Sequence, residues 1–378
     1  MVRDQFDPGA TPELNIEPRR VAWRPYRKDK PDGEHRKEFL LIPAAIHEDS
    51  DALPDYTTDD DGIHISVGID GKSEERPDDS NHRAFPETII ENINKITMGV
   101  SELKGIYNHC PKTSYKGSLE IEPSTSDMLE AIRKHSGEWT DVFCNDTLGV
   151  MAEGDITWRT DPIEIAYKST DYYTIKALRK NGALPHIISG CVLVVCAEER
   201  ALVLHKRSAN SATYPNAMHI FGGAFVGKWR DNHRAYEGDE DIIRTMQREF
   251  FEEAGLDLPK ERIEKCKMSI AEELTTGFFQ VTAIGLNITK TELGKIRSTP
   301  NPHDQEGKTV IIGFDDIEQT ITSGTFVPSG AAQILLWLGL GAPGTPRESI
   351  FSGKLAQELF SDMVSQGITF PKAFGATR

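Results

Sequence analysis

Apolar residues change texture near residue 184. From Ile187 to Cys196 they form a nearly unbroken run, and from Ala201 to Arg207 they alternate with polar ones, so two strands are expected with Glu198, Glu199 and Arg200 turning between them. Met218 to Phe225 reads as a third strand, interrupted at Gly222-Gly223. A polar stretch comes next, then a helical period from about Asp239 to Leu258. Strands near 267–275, 278–288 and 308–314 and an apolar helix from Val327 to Leu340 complete this region. Residues 343–378 read as a tail broken by Pro and Gly, with one amphipathic helix carrying Leu355, Leu359, Phe360 and Met363 on one side. Such a helix packs back on the body or supports a homodimer.

Upstream the elements are sparser. Residues 1–40 show no period, and residues 48–82 are acidic and rich in turn formers, a loop or a hairpin around 63–69. Pro86 and Glu87 open a helix with Ile89, Ile90, Ile93, Ile96 and Val100 at helical spacing. Ser124 to Ser136 and Thr170 to Asn181 read as two more helices, the second stopped by Gly182, with strand-like runs at 141–145 and 163–169 between them. The pattern divides the chain into a mixed α/β amino-terminal domain (1–183), a sheet-rich domain (184–342) and a helical tail (343–378), without internal repeats.

Composition narrows the class. The 378 residues suffice for two cores, with 38% hydrophobic and 27% charged residues, and no run approaches a membrane span. The polar opening residues carry no secretory signal. A net charge of −16 disfavours a nucleic-acid backbone as partner but permits a small anion brought in with metal. Cys110, Cys144, Cys191, Cys196 and Cys266 are scattered and odd in number, which suits a reducing, cytoplasmic setting. Cys191 and Cys196, five apart on one strand, face opposite ways and cannot share an ion.

The chemistry concentrates between Glu240 and Leu256. On a helix Glu249, Glu252 and Glu253 sit at i, i+3 and i+4, three carboxylates on one face within reach of a common ion. Ile242, Ile243, Met246, Phe250 and Ala254 fall on another stripe that can dock on the sheet, and Phe251 adds to that expectation. Oxygen-only ligands select Mg²⁺ or Mn²⁺ over zinc, and those ions bridge phosphates. The partner is then a phosphorylated small molecule. Arg248, a turn from Glu252, can hold a carboxylate through its guanidinium fork, and Gly255 supplies a left-handed stop.

Glu240 to Leu256, with its Arg248-Glu249-x-x-Glu252-Glu253-x-Gly255 core, resembles the Nudix box, and the similarity to Nudix hydrolases extends over 186–342. That resemblance implies an α/β/α sandwich with a mixed sheet. It also implies Mg²⁺- or Mn²⁺-dependent hydrolysis of a nucleoside diphosphate linked to another moiety, such as ADP-ribose, a dinucleotide or a nucleotide sugar. By similarity Glu249, Glu252 and Glu253 are metal ligands, Arg248 orients them, and Gly223 offers its backbone carbonyl. The general base is Glu249 or Glu306, which precedes the strand at 308–314. Gly223 precedes Glu240 by 17 residues, which implies an insert of about 11 relative to the family pattern, and Phe221 stands where Pro is common. The segment 224–239 carries Lys228, Trp229, Arg230, His233, Arg234 and Tyr236. Trp229 and Arg230, with Arg207 at the end of the second strand, are the candidate substrate contacts. Two other functions use the same fold: a non-catalytic nucleotide sensor, and a prenyl-diphosphate isomerase needing a reactive cysteine, for which Cys191 and Cys266 are the candidates.

Overall fold

A computed structural model describes residues 56–59, 62–65, 86–135, 147–151, 156–158, 162–209, 211, 213–230, 235–236, 238–296, 307–346, 351 and 353–373. Strands β1 (Tyr56–Asp59) and β2 (Gly62–Ile65) pair antiparallel within the acidic stretch, upstream of most of the expected 63–69 segment, whose residues 66–69 lie outside the described ones. The amino-terminal half continues with α1 (Pro86–Ile96), β3 (Ser101–Tyr107), β4 (Lys112–Ser118), α2 (Pro123–His135), β5 (Thr147–Met151), β6 (Ile156–Thr157), β7 (Glu164–Asp171) and α3 (Tyr172–Lys180). Then come β8 (His186–Cys196), β9 (Ala201–Arg207), β10 (Met218–His219), β11 (Phe221–Ala224), β12 (Trp229–Arg230), β13 (Ala235–Tyr236), α4 (Ile242–Ala254) and α5 (Lys260–Glu264). The last elements are β14 (Lys267–Glu273), β15 (Phe278–Asn287), α6 (Lys290–Lys295), β16 (Gly307–Gly313), α7 (Ile317–Thr322), α8 (Pro328–Gly339) and α9 (Lys354–Gln366). The strand-like run at 141–145 lies outside the described residues.

Strand β8 is the centre. Every one of its residues is buried, which a continuous apolar run permits and an alternating one would not. It pairs parallel with β15 and antiparallel with β5, β9 and β11, so the sheet is mixed. Beyond β15 the order continues through β14 to β3, and beyond β5 through β7 to β4. Strands from both sides of Gly182 therefore share one sheet.

Helices cover both faces. Leu193 and Val195 of β8 pack with Ile89 and Ile93 of α1, Trp337 of α8, and Phe360 and Met363 of α9. Val192 and Val194 pack with Ile242, Met246, Phe250 and Ala254 of α4 on the other side. The result is an α/β/α sandwich. Cys191 belongs to the first core and Cys196 to the second, as strand alternation requires.

Local chemistry moves some boundaries. Helix α4 starts at Ile242 because the Asp241 side chain accepts from the Arg244 N–H at 2.8 Å, and it stops where Gly255 turns left-handed at φ 72°. In the same way Asp171 caps α3, accepting from the Thr174 N–H at 2.7 Å, which leaves Thr170 in β7. Two apolar assignments change. Phe251 is 47% exposed, so of the two phenylalanines it is Phe250 that is buried in the core against the sheet. Helix α9 packs back on the core through Ala356, Phe360 and Met363, whereas Leu355 is 41% exposed.

Candidate active site

The site is built where β11 passes under α4. Pairing of Gly222 with Cys191 and Gly223 with Gly190 brings the Gly-Gly pair beside the central strand. A Cβ at Gly223 would overlap the carboxylate of Glu249, so the missing side chain is the cradle in which that carboxylate lies. Glu249 is 8% exposed, held at the inner edge of the acidic face.

Arg248 ties the face together. Its Nε donates to Asp239 Oδ1 at 3.2 Å and its Nη2 donates to Asp239 Oδ2 and to the Ala224 carbonyl, each at 3.0 Å. Its Nη1 donates to Glu249 Oε1 at 2.7 Å and to Glu252 Oε2 at 3.3 Å. The fork expected for a glutamate is thus closed on Asp239, while one nitrogen yokes Glu249 to Glu252. Burial alone would lower the guanidinium pKa. The Asp239 hydrogen bonds and the charges of Glu249, Asp239 and Glu252 outweigh it and raise the pKa above its ordinary value.

Glu253 is turned inward. Its Oε2 accepts from the Gly222 N–H at 3.0 Å and its Oε1 lies 3.1 Å from His205 Nδ1, with a side-chain exposure of 7% against 53% for Glu252. The three glutamates share a helix face but run from sheet contact to solvent across it. Among the described residues no group of three His, Cys, Asp or Glu side chains is placed to hold a metal ion. The donor chemistry still fits Mg²⁺ or Mn²⁺, which keep waters and need only one or two protein carboxylates besides substrate phosphate. Arg248 bridges Glu249 and Glu252 at the rim of the Gly223 cradle.

Of the remaining predicted residues only the Arg207 side chain is among the described ones. Arg207 is held by Thr213, donating from Nε to its carbonyl at 3.0 Å. Trp229 and Arg230 form β12, paired with Tyr236 and Ala235 of β13, and their side chains lie outside the described residues, as does Glu306. Phe251 lines a cavity of about 410 Å³ on the outer side of α4 with Arg244, Gln247 and Arg248. Asp239 and His205 touch the acidic face but are not picked out by the motif. For Asp239 a signal exists in the Gly238-Asp239 step that closes the polar insert just before the helix.

No protein-family model and no curated protein matches this sequence. Several solved structures do. A bifunctional NMN adenylyltransferase/ADP-ribose pyrophosphatase from Francisella tularensis, complexed with AMP and a manganese ion, is 15% identical over 44% of this chain and 49% of its own, with a TM-score of 0.31. This chain therefore matches about half the length of that protein. A MutT protein from Methanosarcina mazei Go1 is 18% identical over 39% of this chain and 88% of its own, TM-score 0.25. A Nudix hydrolase from Nitrosomonas europaea is 12% identical over 49% and 76%, TM-score 0.20. The stretch of sequence that resembles the Nudix box thus places Arg248, Glu249, Glu252 and Glu253 on one helix that docks on a mixed sheet covered by helices on both faces.

Proposed function

We propose that this protein hydrolyses a phosphoanhydride bond in a nucleoside diphosphate derivative, of the ADP-ribose, dinucleotide or nucleotide-sugar type, with Mg²⁺ or Mn²⁺ bound at Glu249 and Glu252. The observation that carries the reading is the Glu249 carboxylate seated in the Gly223 cradle and yoked to the exposed Glu252 by Arg248. An acidic rim on a chain of net charge −16 repels a diphosphate unless a cation screens it, so the two carboxylates and the ion form one binding unit. A divalent ion bound there supplies Lewis-acid polarisation of the anhydride and a lowered pKa for the attacking water.

The protein's own groups do the rest. Arg248 keeps both glutamates from rotating away. Glu253, bonded to the Gly222 N–H, fixes the strand end that presents Gly223. Glu249 or Glu306 takes the proton from water as its oxygen bonds to phosphorus and the bridging P–O bond breaks, the electron pair leaving with the departing phosphate. Arg244 and Phe251, a cation and a ring beside Arg248, suit the far moiety of such a substrate. Burial favours hydrolysis over prenyl-diphosphate isomerisation: Cys191 is 1% exposed with its thiol pKa raised, and Cys266 is pushed up to about 11, so neither supplies a thiolate.

The test is a panel of nucleoside diphosphate derivatives incubated with the full chain and Mg²⁺ or Mn²⁺, with and without EDTA. Release of a nucleoside monophosphate that EDTA abolishes supports the reading. Tight binding of a panel member without any turnover would instead mark a sensor.

A further inference from the structure

The insert before α4 leaves and re-enters the fold at one point. The Asp239 N–H donates to the Val226 carbonyl at 2.7 Å, and the Val226 N–H donates to Asp239 Oδ2 at 3.2 Å. Gly238 makes this return, since at φ 65° a Cβ would overlap the Val226 carbonyl. The two ends of this stretch, Val226 and Asp239, are therefore held together by a pair of hydrogen bonds just before α4.

Strands from the amino-terminal half grip that junction. The Gly149 N–H of β5 donates to the Phe225 carbonyl at 2.7 Å, and the Phe225 ring lies so close over Gly149 that a Cβ there would come within 2.6 Å. Tyr167 of β7 meets Phe225 edge-on at 5.0 Å between ring centroids, and its hydroxyl accepts from the Lys228 N–H at 3.2 Å. Asp239, 5% exposed, also accepts from Thr245 Oγ1 at 2.9 Å before it closes the fork on Arg248. Glu240, the acid that the motif's spacing picks, is exposed to solvent.

We propose that Asp239, and not Glu240, is the positioning residue of the acidic face, and that β5 and β7 brace it, which gives the amino-terminal half a part in the site. Asp239 accepts from two of the three guanidinium nitrogens, and Nη1 is the one that donates to Glu249 and Glu252. Without the Asp239 charge, the whole positive charge of Arg248 competes with a cation for the same carboxylates. The proposal rests on the reading of Glu249 and Glu252 as metal ligands.

The experiment is a Mn²⁺ titration of the full chain, monitored by electron paramagnetic resonance without substrate and well below each variant's unfolding temperature. The wild type binds Mn²⁺, Asp239→Asn binds it about tenfold or more weakly, Asp239→Glu recovers part of the loss, and Glu240→Gln behaves as wild type. If Asp239→Asn does not fold, Asp239→Ser, which retains a hydroxyl acceptor for the Val226 N–H, takes its place with the same expected weakening. Equal Mn²⁺ affinity in wild type and the neutral Asp239 variant, or equal weakening by Glu240→Gln, overturns the proposal while leaving the metal reading standing. A wild type that binds no Mn²⁺ overturns both.

Discussion

His205 Nδ1 stands 3.1 Å from Oε1 of Glu253, and both side chains are almost wholly buried. That pair separates two glutamates that the helical spacing treats alike. Glu253→Ala leaves the Gly222 N–H and His205 without their carboxylate, and a buried polar group left unsatisfied costs about 1–3 kcal/mol. Glu252→Gln, at a side chain 53% exposed, leaves stability within about 0.5 kcal/mol of wild type. Urea unfolding of the two variants measures the difference, and equal destabilisation contradicts it.

Gly223→Ala tests the cradle. The added methyl occupies the space of the Glu249 carboxylate, which must turn away. Displacement of a ligand by about 1 Å is enough for a roughly 100-fold loss of turnover. Steady-state kinetics of the variant should show that loss, with its far-ultraviolet dichroism unchanged. Undiminished turnover shows that Glu249 does not act from that position.

His219 makes stability depend on pH. Burial, with the charges of Arg207 and His205 adding to it, lowers its pKa to about 3, so the folded chain holds a neutral imidazole. A histidine with a depressed folded pKa contributes its full stability above the unfolded value of about 6.5 and loses it progressively as pH falls toward about 3. His219→Asn removes this titration. Urea midpoints of the variant should decline less steeply than wild type between those limits, and parallel declines contradict the assignment.

Short-range periodicity carried most of this fold into view. The fully buried β8, the alternating β9 and the apolar stripe of α4 each derive from side-chain direction within a single element. What stayed hidden depends on contacts far apart in sequence. The pairing of β5 with β8 and of β3 with β14 across residue 184 has no local signature. In the site, Arg248, Glu249 and Glu252 meet as their spacing implies, but the spacing could not show Glu253 turning to His205, Arg207 held by Thr213, or Asp239 completing the fork. Each of those is decided by where a loop or neighbouring strand closes, which hydrophobic pattern does not encode.

The central claim is metal-dependent anhydride hydrolysis at Glu249 and Glu252, and the most direct test compares wild type and Glu252→Gln on the same nucleoside diphosphate panel with Mg²⁺. The account predicts release of a nucleoside monophosphate from at least one member, abolished by EDTA and reduced about 100-fold or more in the variant. Release that persists in EDTA and in Glu252→Gln, or no release from any member with metal present, contradicts it.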